Sequence, residues 1–303
     1  MADPLSAEAG PAKAEGPSLL QKLGGNGGVR FGGTVLVLML MIALIAPFLG
    51  TVDPAALDPT LRNQLPLDSS VIIDEDGEEV EITHWMGTDT LGRDLYSRVI
   101  YGARVSLIVG FAVAFLAIGI GLVIGLTSGY VRWLDAIIMR VMDGLMAIPA
   151  ILLALALVAL WGAGLVTVIL AITVPEIPRV VRLVRSVVLS VREEPYVEAA
   201  VSIGTPTLKI LYRHILPNTI APLIVQATYT VGFAILVEAI LSFLGVGIPT
   251  DIPTWGNIMA EGRLLFRVFP HVILFPGIFL ALAVLAINVL GDGLRDTLDP
   301  RFA

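Results

Sequence analysis

The sequence predicts an all-α polytopic membrane protein with six transmembrane helices and a small extracytoplasmic β-hairpin insertion. Three observations predict it. The 303 residues are 56% hydrophobic and 15% charged, with a mean hydropathy of +0.88. Soluble domains run at about 45–50% apolar and about 25% charged. Five long stretches carry no Asp, Glu, Lys or Arg: Phe31–Val52, Val105–Val131, Gly144–Pro175, His214–Val237 and Val268–Gly291. About 20 mostly apolar residues suffice to cross a bilayer. Between the first two stretches, β-branched residues flank Asp76-Gly77, a type I′ hairpin signal. The composition also excludes a disordered chain. A net charge of −7 argues against a polybasic nucleic-acid binder. The absence of Cys excludes disulfides, thiolate metal sites and a Cys nucleophile.

Residues 1–30, rich in Ala, Gly, Pro and Glu, read as a flexible cytoplasmic tail without a periodic apolar face. Residues 31–50 form the first span. A cleaved signal peptide is the rival reading there. Its apolar core is about 7–15 residues behind a short basic stretch, and this run is longer and sits behind 30 residues. Residues 51–104 form the extracytoplasmic segment. It holds 11 acids against 4 bases, which accounts for the whole net charge. The hairpin carboxylates Asp74, Glu75, Asp76, Glu78, Glu79 and Glu81 are candidates for contact with a partner. They lack Ca²⁺-loop spacing, and a solvated hairpin is the simpler reading.

Residues 105–303 form the core, with five further spans. Val105–Val131 is one span. Its Ala117, Gly121, Gly125 and Gly129 repeat at i+4, a small-residue face for close helix packing. The 32 residues of Gly144–Pro175 exceed one span and contain Gly162-Ala163-Gly164. They read as two helices, near Leu145–Trp161 and Leu165–Val184. His214–Val237 and Val268–Gly291 complete the six. With the N-terminus inside, thirteen Lys/Arg fall in inner segments and six in outer ones. That bias puts both termini in the cytoplasm.

The inner loop 193–217 is the most structured connection. Pro195 suits the first turn of a helix, behind Glu193 and Glu194 at the positive end of its dipole. Gly204 and Pro206 end that helix, and a second runs from Thr207 towards the next span. The tip is small at Ala199, Ala200, Ser202 and Gly204, so another protein's backbone can approach closely. Within or beside the spans stand three costly carboxylates, Asp143, Glu176 and Glu238. Asp143 follows Arg140 by three and Glu176 precedes Arg179 by three, each in reach of an ion pair. Glu238 has no local partner and reads as a helix-to-helix bond or a path residue. No Gly precedes a Lys, so there is no Walker A loop and no ATPase of the chain's own. His84, His214 and His271 are scattered without H-E-x-x-H spacing, and no G-x-S-x-G occurs. No catalytic residue, cofactor or metal site is expected.

Residues 193–217 resemble the cytoplasmic loop of bacterial ABC importer permeases, E-A-A-x-x-x-G-x₉-I-x-L-P. Glu198-Ala199-Ala200, Gly204, Leu216 and Pro217 match in register, and His214 stands at the Ile position. Three more segments sharpen the likeness: Gly87–Arg98 with Tyr101–Leu107, Glu238–Gly247, and Gly291–Arg301. Together they resemble the second permease of the dipeptide/oligopeptide family of binding-protein-dependent importers, which also includes nickel and glutathione systems. The resemblance spans about Phe31 to the C-terminus. It implies a type I (MetI-like) permease fold in the bacterial inner membrane, moving di- or oligopeptides. It implies four partners: a second homologous permease, two cytoplasmic ATPases and an extracytoplasmic solute-binding protein. The E-A-A helix would be the coupling helix, with Glu198, Ala199, Ala200, Ser202, Gly204, Leu216 and Pro217 forming the contact with an ATPase. An ion-coupled secondary transporter is the competing class. Such carriers often show inverted repeats and midplane charges, and neither is evident here. A membrane scaffold would leave the docking loop unexplained.

Overall fold

The computed structural model describes residues 19–73 and 79–298. Eleven helices and one pair of strands follow in chain order among them: α1 (Leu19–Gly25), α2 (Gly27–Ile45), β1 (Asp68–Ile73), β2 (Glu79–His84), α3 (Leu95–Tyr130), α4 (Arg132–Met146), α5 (Ala150–Trp161), α6 (Leu165–Arg192), α7 (Pro195–Ser202), α8 (Thr207–Ile210), α9 (Leu216–Phe243), α10 (Trp255–Gly262) and α11 (His271–Leu298). A π-helical turn, Leu211–Ile215, joins α8 to α9. Four helical stretches are long and apolar enough to cross a membrane: Gly27–Phe48, Leu95–Tyr130, Thr207–Phe243 and His271–Leu298. The pair α4 and α5, bent by 87° at Ala147–Pro149, makes a fifth if counted as one span. Helix α6 has the length, but Glu176 and four arginines lower its hydropathy.

The tail expected to be unstructured through Arg30 is helical from Leu19. Asn26 explains why α2 starts early. Its side-chain oxygen accepts from the Gly28 and Val29 amides at 2.8 and 3.2 Å, capping the helix. The third apolar stretch breaks at Gly162, whose φ of +91° closes α5. It also breaks earlier, at Pro149, because proline disfavours the helical conformation in Ile148 before it. Strands β1 and β2 pair antiparallel, from Asp68 opposite His84 to Ile73 opposite Glu79. The expected turn at Asp76-Gly77 and the carboxylates Asp74, Glu75, Asp76 and Glu78 lie outside the described residues, as does the side chain of Glu79. Glu81 is exposed.

The glycine repeat sets how closely the helices approach. A Cβ at Gly121 would lie 2.5 Å from Val180 Cβ; at Gly125, 2.6 Å from Val184 Cβ; at Gly129, 2.7 Å from Val188 Cβ. The pairs advance together, so α3 and α6 run parallel, with α6 valines seated on bare α3 backbone. Gly121→Leu is therefore expected to force the two helices apart. Overpacking of this kind costs about 1–3 kcal/mol. A thermal melt in detergent checks it: an unchanged midpoint would mean the helices are not held this close. Helix α2 lies on α11 in the same manner, with Gly32 against the backbone of Ala286 and Leu290.

The bundle has two distinct ends. At one, Asn26 donates to the Gly293 carbonyl at 3.4 Å, so the start of α2 and the end of α11 sit together. The end of α6 and the start of α9 are at this end too, since Ser190, Asn218, Arg295 and Leu298 border one cavity of about 830 Å³, and α7 follows by packing on the end of α6. At the other end stand β1, β2, the start of α3, and α10. There Trp255 is fully buried and donates its indole N–H to the Val99 carbonyl at 3.2 Å.

Candidate functional site

At the first end, α7 is a short helix with one side buried and the other exposed. Pro195 occupies its first turn, where a missing N–H costs nothing. Val197 and Ala200 are buried in a cluster with Val188 and Val191 of α6 and with Ile210 and Ile215. These fix α7 to the long helix. Gly204, at φ +78°, closes α7 through a Schellman pair. The Thr205 amide donates to the Ala200 carbonyl at 3.0 Å, and the Gly204 amide to Val201 at 2.9 Å. With one face anchored, Glu198, Ala199, Val201 and Ser202 are exposed. Beside them Ile203, Leu208 and Tyr212 are 83%, 80% and 75% exposed. These three apolar side chains were not among the sequence candidates. The available signal was bulky apolar residues bracketing a Gly-Thr-Pro turn. Pro217 cannot donate to the Arg213 carbonyl, and the chain answers with the π-helical turn. Asn218 donates to the His214 carbonyl at 2.7 Å, in keeping with that turn. Leu216 is half-buried and Pro217 exposed.

At the opposite end a buried ionic network ties the segment before α3 to α10. Arg93 Nε donates to Asp89 at 2.7 Å, and Arg98 Nη1 donates to Glu261 at 2.6 Å. Arg98 also bonds Asp89, and Arg93 also bonds Glu261, closing a ring of two acids and two bases. Arg98 and Asp89 are fully buried. Burial by itself would raise the Asp89 carboxyl. The guanidiniums of Arg98 and Arg93, with the amides of Arg93 and Leu91, outweigh it and hold the group below the usual carboxylate range. Beside this ring, His84 Nδ1 bonds Asp94 at 2.8 Å and its Nε2 bonds Ser70 at 2.7 Å. Asp94 in turn caps α3 by accepting from the Ser97 amide at 2.7 Å. The chain Ser70–His84–Asp94 thus fastens the strand pair to the helix.

The three carboxylates of the spans go separate ways. Asp143 is exposed and bonds Arg182 of α6 at 2.6 Å, rather than Arg140 on its own helix. Asp135 takes Arg185 bidentately, at 2.5 and 2.6 Å. Two ion pairs therefore hold α4 against α6, and the bend at Ala147–Pro149 makes that approach possible. Glu176 is buried, 3.0 Å from Arg179. Glu238 is fully buried and accepts from Ser242 at 2.8 Å and from Ser106 of α3 at 3.3 Å. It links α9 to α3. Glu238→Gln keeps a carbonyl oxygen for one hydroxyl and offers an amide N–H to the other, and is expected to leave stability within about 1 kcal/mol. Glu238→Leu strands them and is expected to cost about 1–3 kcal/mol. Melting midpoints of the two variants test this, and equal values would exclude the bonding role. No group of three metal-ligating side chains occurs among the described residues.

Residues 102–303 match the family model described as the binding-protein-dependent transport system inner membrane component. The chain belongs to this family. Among curated relatives of this permease, a probable peptide ABC transporter permease of Sinorhizobium fredii is 52% identical over 273 residues, 90% of this chain and 89% of that protein. A dipeptide transport system permease of Alkalihalophilus pseudofirmus is 42% identical over 268 residues, 88% of this chain and 84% of that one. A glutathione transport system permease of Pectobacterium atrosepticum is 42% identical over 240 residues, 78% and 80% of the two. Among solved structures, the MetNI methionine ABC transporter in an inward-facing form aligns with a TM-score of 0.54. The identity there is 20%, covering 67% of this permease and 96% of that chain. At that identity the likeness establishes the fold, a MetI-like helical bundle.

Proposed function

We propose that this permease forms half of the membrane path of an ATP-driven importer for short peptides. Its α7 is the contact that receives movement from a cytoplasmic ATPase. The observation that carries the coupling reading is α7 itself. It is clamped to α6 by Val197 and Ala200, closed by Gly204, and bordered by exposed Ile203, Leu208 and Tyr212. A helix so clamped transmits a push as a rigid body, tilting α6 and α9. In this reading Glu198 supplies a polar contact at the rim, and Ala199 and Ser202 allow close approach. Leu216 and Pro217 fix the departure of α9. The peptide assignment rests on relatives named for peptide, dipeptide and glutathione transport.

The same reading gives six spans: α2, α3, the bent α4–α5 pair, α6, α9 and α11. The α7 end is cytoplasmic, which places the start of α2 and the end of α11 on the inner side and the strand pair outside. A second, homologous permease would complete the path, two ATPases would sit beneath, and a solute-binding protein would deliver the peptide outside. Glu81 of β2, exposed at that end, would be available to that protein. Co-purification from the native membrane in mild detergent, followed by uptake of a labelled dipeptide in proteoliposomes, tests the assignment. ATPase subunits should accompany the permease and uptake should need ATP. Uptake by this chain alone, driven by an ion gradient, would overturn it.

A further inference from the structure

Arg179 stands at a depth where a charged side chain is costly. It adjoins Val180, which packs on Gly121. Gly121 is about 5 Å along α3 from the middle of the charge-free stretch Val105–Val131. The guanidinium is 4.9 Å from the centroid of the Phe233 ring and 3.0 Å from Glu176. Its side chain is nonetheless 44% exposed in the isolated chain. A guanidinium facing hydrocarbon at mid-depth is strongly disfavoured, so this face of α6 meets water or a partner. The Glu176 contact is out of hydrogen-bond alignment: neither carboxylate oxygen accepts a hydrogen bond. The buried acid holds the arginine by charge and leaves its planar donor fork uncommitted.

The same face continues towards the α7 end. Arg182, Ser186 and Ser190 follow at helical spacing and are exposed. Ser190 borders the 830 Å³ cavity, which Arg295 lines as well. A polar stripe with cations at both ends therefore joins mid-depth to that cavity, and a lipid-facing surface would not carry one. We infer that Arg179, held by Glu176 and Phe233, binds the terminal carboxylate of a peptide as it crosses between the two permeases. A guanidinium fork matches a carboxylate bidentately. This rests on the peptide-importer reading above and deepens it by naming the chemical group engaged.

The test uses the complete complex in proteoliposomes, with tri-alanine and its C-terminal amide as probes. Each probe is supplied already bound to the solute-binding protein. Arg179→Gln is expected to slow import of tri-alanine about tenfold or more while changing the amide less than about twofold. Arg179→Lys, which keeps the charge but loses the fork, should retain part of the rate. Equal effects on both probes, or none on either, would overturn the inference. Loss of the second permease from purified Arg179→Gln complex would overturn it too, by assigning the residue to the permease interface. If the wild-type complex imports neither probe, the peptide reading itself fails. If it imports both and the variant does not discriminate, only the role of Arg179 fails.

Discussion

Arg98→Leu is expected to destabilise the permease by about 3–5 kcal/mol, the cost of breaking a buried ion pair by removing one partner. Leucine fills much of the volume, so the loss would report charge rather than cavity. With Arg98 gone, Glu261 keeps Arg93 alone and Asp89 keeps one of its two guanidiniums. The network joins the start of α3 to α10, so the strand-bearing end should loosen first. Protease sensitivity of the segment before α3 would rise ahead of global unfolding. A melting midpoint within about 1 °C of wild type would show that the ring carries no net stability. The network also sets an acid limit. Asp89 titrates below its unfolded value, so its stabilisation is fully present above that value, about 3.9. It is lost as pH falls through the lower folded value. Asp89→Asn should be less stable at neutral pH and lose less on acidification. An identical acid response in both proteins would remove Asp89 from that role.

The second large effect concerns the α7 end. Ile203→Asp together with Leu208→Asp is expected to abolish ATP-driven uptake while leaving membrane insertion and thermal stability unchanged. Both side chains are more than three-quarters exposed, so their removal costs the isolated fold little. Apolar anchors at an interface are worth about 2 kcal/mol or more each. Two introduced carboxylates should therefore weaken ATPase binding by about a thousandfold. ATPase recovery after detergent extraction reads this directly. Normal recovery with normal uptake would show that the contact lies elsewhere. Val197→Asp serves as the contrast, since Val197 is buried and its loss should also lower stability.

Much of this permease is local in origin and legible from the chain. Apolar runs of sufficient length mark spans wherever they stand, because the bilayer asks only for length and the absence of charge. Pro195 and Gly204 bound α7 through backbone geometry set by single residues. The i+4 repeat of Gly121, Gly125 and Gly129 marks a packing face, though not its partner. Helix α6 is the least legible in the chain, because Glu176 and its arginines interrupt the apolar run of a continuous helix of 28 residues. The early start of α2 was hidden as well, since its Asn26 cap sits among glycines that favour no particular element.

The pairing of charges had to await the tertiary structure. Asp143 lies three residues from Arg140 yet bonds Arg182, because the break at Pro149 folds α4 back along α6. Arg98 meets Glu261 across 163 residues, with nothing in either neighbourhood to announce it. The sequence by itself determined four of the apolar helices long enough to cross a membrane, the turn that ends α7 and the family resemblance, since each depends on residues close together. The tertiary structure alone decided which carboxylate neutralises which guanidinium, and which faces of α6 and α7 remain exposed. Ion pairs follow proximity in space, and proximity is set only once the helices have packed.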